Sequence, residues 1–256
     1  MIVNYHTHTR RCAHATGEDR DYVLAALEDG ITLLGFSDHT PYPFDGGVGA
    51  LRIRMEPEEL PGYAASVRAL AEEFRDQIEI RLGVEAEYYP LYFPRLLELL
   101  RGSDVEYMIL GQHFLGNEIG EAHSARPTED PKDLARYVSQ CAEALQTGLF
   151  SCFAHPDIFR FVGTEADYDR EMRRLCRTAK ETDTPLEINL LGLREHRHYP
   201  DPRFWHIAAE EGCEVVLGSD AHSPEALLDT EGERAARQLA DSLGIRLLDR
   251  IPLRRI

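Results

Sequence analysis

Two rhythms of apolar residues alternate along this chain. Short apolar runs of strand length are separated by amphipathic stretches in which apolar positions return every three or four residues, the period of one helix face. The runs predict strands over Ile2–His8, Leu33–Asp38, Ile78–Glu87, Tyr107–Phe114, Ser151–His155, Leu186–Leu191 and Glu214–Asp220. The amphipathic stretches predict helices over Asp19–Asp29, Glu58–Arg75, Leu91–Arg101, Pro131–Thr147, Glu165–Thr182, Asp201–Glu211 and Glu231–Leu243. Gly148 directly after Thr147 marks one helix end. A helix after every strand is the pattern of a parallel sheet with crossover connections. Seven such units, with no composition break and no internal repeat, predict an α/β fold closed into a barrel, one domain over residues 1–256. Pro41–Pro57, rich in glycine and proline, is expected to form an irregular loop at the end where such barrels carry their sites.

The strand ends carry the chemistry. Seven of the eleven histidines fall where a predicted strand gives way to a loop, most of them beside an acidic residue. In His6-Thr7-His8 the two imidazoles share one strand face and converge as a clamp for a metal ion. Asp220-Ala221-His222 repeats the spacing on the last strand, which in a closed barrel neighbours the first. Glu85 and Glu87 share a face of the third strand, and two carboxylates inside a barrel need cations or solvent. Asp38 and His39 end the second strand and cannot both point inward. His39 is therefore expected as a ligand and Asp38 as its support, accepting the imidazole's second N–H. His14, His113 and His155 add single imidazoles. Each alone reads better as a solvated or structural residue, but the set reads as a metal site built from the whole fold. Imidazole and carboxylate together bind zinc, iron or manganese.

Bulk properties narrow the function further. A composition 43% hydrophobic allows a sizeable core, and a formal net charge of −17 argues against a nucleic-acid surface. The five cysteines are odd in number and form no CxxC pair, which speaks against a disulfide framework and a thiolate zinc site. Cys12 and Cys152 have no paired base in the sequence, so thiol nucleophilic catalysis is disfavoured. Neither a signal peptide nor an apolar run of membrane-spanning length is found, and a reducing cytoplasm is the expected compartment. Tyr88, Tyr89, Tyr92 and Phe93 are read as rim packing, His196 and His198 as a solvated loop, and His123 and His206 as structural or surface residues.

Taken together, these motifs resemble the polymerase and histidinol phosphatase (PHP) family of metal-dependent phosphoesterases, from His6 to His222. Ser37-Asp38-His39-Thr40-Pro41-Tyr42, Glu187-Ile188-Asn189 followed by Gly192-Leu193-Arg194, Tyr199-Pro200, and Leu217 through Pro224 are most similar to its histidinol-phosphatase branch. The resemblance implies a distorted TIM-like barrel of seven β/α units and three divalent metal ions, whether zinc, iron or manganese. It implies that His6, His8, Glu85 and Asp220 hold one metal, that Glu85 bridges to a second held by His113 and His155, and that His14, His39 and His222 hold a third. The family places the bridging carboxylate after a Gly-Val pair, which selects Glu85 over Glu87.

The implied reaction is hydrolysis of L-histidinol phosphate to L-histidinol and inorganic phosphate in histidine biosynthesis. A metal-activated hydroxide would attack phosphorus in line with the ester oxygen, with Glu85 and Asp220 at its centre. Arg160 and Arg194, both just past strand ends, are expected to clamp the phosphate, because a guanidinium matches phosphate geometry bidentately. The alternatives are another small phosphate monoester, such as a sugar phosphate or nucleotide, or a non-catalytic metal-stabilised module.

Overall fold

The computed structural model describes residues 1–45 and 53–256. Its seven parallel strands form one sheet in sequential order: β1 (Val3–Asn4), β2 (Leu33–His39), β3 (Glu79–Ala86), β4 (Tyr107–Leu110), β5 (Phe150–Phe153), β6 (Leu186–Asn189) and β7 (Val215–Gly218). Helices α1 (Asp19–Glu28), α2 (Leu60–Glu73), α3 (Phe93–Arg101), α4 (Pro131–Gln146), α5 (Glu165–Glu181), α6 (Leu190–Arg194), α7 (Pro202–Glu211) and α8 (Thr230–Leu243) follow the strands in turn. The sheet closes into a barrel at the C-terminal strand ends. There Thr7 bridges Ala221, and the His8 amide donates to the Ala221 carbonyl at 2.9 Å.

Three elements differ from the sequence expectation, each for a local reason. The predicted first strand, Ile2–His8, keeps ladder geometry only at Val3–Asn4 and again at Thr7. Between them the Asn4 amide replaces the missing ladder, accepting from Ser219 N at 3.0 Å and donating to Thr7 Oγ1 at 2.7 Å. Strand β4 stops at Leu110, because the Gln112 side chain ties Tyr88 N (2.9 Å) to the Phe114 carbonyl (2.8 Å) and turns the chain. The predicted run Leu186–Leu191 turns helical after Asn189, whose side chain caps α6 by accepting from Gly192 N at 3.0 Å. Of the expected loop Pro41–Pro57, residues 46–52 lie outside the described residues; Pro41–Phe44 has no regular structure.

Two apolar layers hold the barrel. The larger lies between sheet and helices. The smaller fills the barrel's lower interior with Val3, Tyr5, Leu33, Tyr107, Ile109, Cys152, Ala154, Val216 and Ile251. Tyr107 is the plug: its hydroxyl lies 2.9 Å from the Tyr5 carbonyl oxygen and 3.2 Å from that of Phe36. Gly83 makes room for it, since a Cβ there would sit 2.2 Å from the ring. The same strands then carry polar side chains into the upper interior, where β2 and β3 bring His39 opposite Glu85 in register.

Candidate metal centre

All nine residues expected as metal ligands lie together at the upper mouth. His6, His8, Glu85, His155 and Asp220 are almost fully buried, His39 is buried, and His113, His14 and His222 approach the surface in that mouth. Three groupings emerge. In the deepest, His6 Nε2 and His8 Nε2 lie 3.1 Å apart, at 3.4 and 3.0 Å from Asp220 Oδ1. The same two nitrogens lie 3.7 and 3.6 Å from the Glu85 carboxylate. Glu85 reaches onward to His155 Nε2 at 2.8 Å and His113 Nε2 at 3.5 Å. Outermost, His14 Nε2 and His222 Nε2 meet at 3.1 Å, and His39 has donor atoms in the same group. His39 Nδ1 also touches Glu85 Oε2 at 2.9 Å. Glu85 therefore borders all three.

Hydrogen bonds on the outer side fix how the imidazoles face. His14 Nδ1 lies 2.8 Å from the Cys12 carbonyl oxygen, and His222 Nδ1 lies 3.1 Å from that of Asp220. A carbonyl oxygen only accepts, so the proton sits on Nδ1 and the Nε2 lone pair points inward. His6 Nδ1 meets Glu187 Oε1 at 2.8 Å and His113 Nδ1 meets Glu87 Oε1 at 3.0 Å, with the same consequence. Glu187 was not singled out by role in the sequence. It is buried, also accepts from the His155 amide and from Asn189 Nδ2 (3.0 Å each), and fits only because Gly218 lacks a side chain. Asn189 Nδ2 in turn holds Asp220 Oδ2 at 3.0 Å, which leaves Oδ1 turned into the cluster.

The chemistry of this donor set fits divalent cations. Lone pairs converge on points between His6, His8, Glu85 and Asp220. Asp220 Oδ1 and His155 Nδ1 are buried without a hydrogen-bond partner among the described residues. Electrostatics agree. Burial works against charging His6 and His8, yet Asp220, Glu187 and Glu85 raise His6 well above its ordinary range, and Asp220 and Asp38 raise His8 to about 9. Burial would raise Glu85 and Asp220, but the surrounding imidazoles hold both well below the carboxylate range. Two carboxylates this strongly stabilised as anions are a cation's counterpart. On the outer side burial pushes His39 to about 4, against the pull of Glu85, and burial with the charge of His8 pushes His222 to about 2. Neutral imidazole is the form that binds metal. His155 (φ 31°) and Asp220 (φ 49°) hold left-handed backbone, a conformation costing on the order of 1–3 kcal/mol for a non-glycine residue.

Several expectations need correction or placing. Asp38 does not support the His39 ring. It points from the other face of β2 to Thr9 Oγ1 and to His8 Nδ1 (3.4 Å), while only the His39 backbone amide donates to it (2.8 Å). Arg194 does not line the cavity: Asp229 Oδ2 holds it at 3.0 Å, and Nη2 lies 3.3 Å from the Ser219 carbonyl oxygen, behind the site. Arg160, by contrast, is exposed in the wall of the cavity of about 790 Å³ that opens over the cluster. Nor is the loop after α6 simply solvated. His198 Nε2 bonds the Ile158 carbonyl at 2.8 Å, and His196, Arg197, His198 and Tyr199 all line the cavity, as does His123. Arg197, missed in the sequence, is braced by Glu195 (2.6 Å) and the Tyr199 hydroxyl (3.0 Å). His206 is exposed on α7. Tyr89, Tyr92 and Phe93 pack on Tyr42, Phe44 and Phe150 as a rim, and burial raises the thiols of Cys12 and Cys152 far from reactivity.

Known proteins share this architecture. A protein named "Probable histidinol-phosphatase" from Deinococcus radiodurans is 33% identical over 232 residues, 87% of each chain. The histidinol-phosphatase of Bacillus subtilis is 30% identical over 249 residues, 85% of this chain and 92% of that one. Histidinol phosphate phosphatase from Lactococcus lactis, crystallised with zinc, L-histidinol and phosphate, has the same fold. Its TM-score is 0.73 at 21% identity, covering 96% of this chain and 95% of that one. The PHP domain matches residues 4–190, and this chain belongs to the PHP domain family.

Proposed function

We propose that this chain is a metal-dependent phosphoric monoester hydrolase that converts L-histidinol phosphate to L-histidinol and inorganic phosphate in histidine biosynthesis. The observation that carries the reading is a set of seven imidazoles and two carboxylates gathered around Glu85, beneath a cavity with two arginines in its wall. The relatives named histidinol-phosphatase supply the substrate class. Residues 1–256 act as one phosphoesterase unit in this reading, because Asp220 and His222 stand beyond the matched segment and yet complete the site.

His6, His8, Glu85 and Asp220 would hold one divalent cation, Glu85, His113 and His155 a second, and His14, His39 and His222 a third. Zinc, iron or manganese at these positions would neutralise phosphoryl charge and acidify a water. The protein's own groups do the rest. Glu187, Glu87 and the two carbonyls hold the Nδ1 proton of His6, His113, His14 and His222, so each Nε2 faces the cation, and the strongly basic His6 and His8 would release a proton as it binds. Arg160 and Arg197 are placed to orient the phosphate, and Arg197 is pre-set by Glu195 and Tyr199. A small phosphate ester is the partner. The chain's acidity disfavours nucleic acid, and among the described residues no helix is long and apolar enough to cross a membrane. Five free, buried cysteines suit the reducing cytoplasm.

The test is a side-by-side assay of the metal-loaded protein on histidinol phosphate, sugar phosphates and nucleotides. A kcat/KM for histidinol phosphate well above the others is expected. Equal turnover of all three overturns the substrate and leaves a general phosphoesterase acting on another small monoester.

A further inference from the structure

Glu87, two residues beyond Glu85, is engaged by His113 and Arg54. Its side chain is about 1% exposed, with Oε1 3.0 Å from His113 Nδ1. An anion so buried needs a counter-charge. Arg54 supplies it: Nη1 lies 3.0 Å from Glu87 Oε2 and Nη2 lies 3.4 Å from Oε1, a two-point fork. Nη2 also bonds Glu118, which the Tyr89 hydroxyl holds from the other side at 2.8 Å. The guanidinium stacks near the rings of Tyr42 (5.5 Å) and Phe44 (5.8 Å) and is itself 3% exposed.

One guanidinium thus joins the segments that follow β2, β3 and β4. Among the described residues its side-chain hydrogen-bond partners are Glu87 and Glu118, neither of them one of the nine expected ligands, and Glu87 is the one that touches the cluster, at His113. A fork fixes both oxygens of a carboxylate, where a single contact would leave it free to rotate. With Glu87 fixed, His113 keeps its proton on Nδ1 and its Nε2 lone pair 3.5 Å from Glu85 Oε1.

We infer that Arg54 is a positioning residue, which through Glu87 orients His113 and so sets the cation affinity of the site that His113 shares with Glu85 and His155. The inference rests on the metal-site reading above and on no particular substrate.

The experiment is titration of the metal-stripped full chain with Zn²⁺ against a competing chelator, with circular dichroism of the stripped proteins as the control for folding. In Arg54→Met one class of zinc site is expected to weaken, by at most the about 10–100-fold that follows loss of the direct outer partner of a ligating histidine, here Glu87. The remaining classes should stay at parental affinity. Arg54→Lys, which restores charge without the fork, should recover only part of the loss. Arg54→Met combined with Glu87→Gln should be no worse than Glu87→Gln alone, since Arg54 acts through Glu87. Parental affinity at every site in a folded Arg54→Met overturns the inference, as does full additivity of the two substitutions. Should Arg54→Met fail to fold, Glu87→Gln alone decides, and parental zinc affinity in that variant overturns it. A parental protein that binds no zinc at all would instead sink the metal-site reading.

Discussion

The barrel interior has two storeys, built by the same strands and both buried at their centres. In the lower, Tyr107 and Ile109 are 0% and 1% exposed; in the upper, His8 and Glu85 are 0% and 1% exposed. Burial is the same and chemistry is opposite. The lower storey completes itself: its members are apolar, and its one deep hydroxyl, that of Tyr107, finds two carbonyls. The upper storey does not. It crowds imidazole lone pairs onto two carboxylates, leaves Asp220 Oδ1 unbonded and holds two residues in left-handed backbone. Stability is stored below, and the deficits above are of the kind a bound cation repairs. A barrel can carry such a mouth because its lower storey holds the strands in place without it.

The sharpest way to break this contrast is Asp220→Asn. Phosphatase activity should fall on the order of 10⁴-fold, about 5.4 kcal/mol in the barrier, as a cation's charge stabilisation is lost. The denaturant midpoint of the metal-stripped protein should fall less than in a lower-storey variant; the imidazoles that hold Asp220 well below the carboxylate range give its anion some stability at neutral pH, which the amide loses. A large fall in that midpoint would show that the upper storey also stores stability. Tyr107→Ala should do the reverse, lowering unfolding free energy by about 3–5 kcal/mol while the folded fraction binds the parental number of metal ions. Chelation comes next. Removing a metal present at a hundred times its dissociation constant should lower stability by about 2.7 kcal/mol, read as a drop in Tm. That drop should persist in a folded lower-storey variant and shrink in Asp220→Asn.

The seven β/α units and the clustering of histidines at the strand ends were legible in the sequence because both depend on periodicity, while the division of the expected ligands among three metals came from the family resemblance. Seven β/α units, His6 and His8 on one side of the first strand's end, and Glu85 and Glu87 on one face of the third all follow from counting residues. What escaped depends on which strand lies next to which. Asp38 was expected to serve its chain neighbour His39, yet it projects from the opposite face of β2 and meets His8 of the adjacent strand segment. Glu187 lies 181 positions from His6 and Arg54 lies 33 from Glu87, distances over which no spacing rule operates. Arg197 and His198 escaped because a polar loop reads as solvated unless something shows it folding back over the mouth, as the His198 bond to Ile158 does.

Arg194 and Arg160 allow the finest test of where the site ends. Both were expected at the phosphate, and they lie on opposite sides of the boundary between site and frame. Arg194 sits at the end of α6, a five-residue helix too short for periodicity to reveal. Its partners, Asp229 and the carbonyls of Ser219 and Asp220, all flank β7 from behind. Its loss should therefore act on the frame: Arg194→Met should lower unfolding free energy by about 1 kcal/mol, discounted for partial exposure. It should leave KM for the phosphate ester unchanged, with any fall in kcat following from the position of Asp220. Arg160→Met should do the opposite, raising KM several-fold with no change in stability, since its guanidinium lies in the cavity wall without an ion-pair partner among the described residues. A raised KM in Arg194→Met with undiminished stability would return that arginine to the phosphate and move the boundary of the upper storey down behind β7.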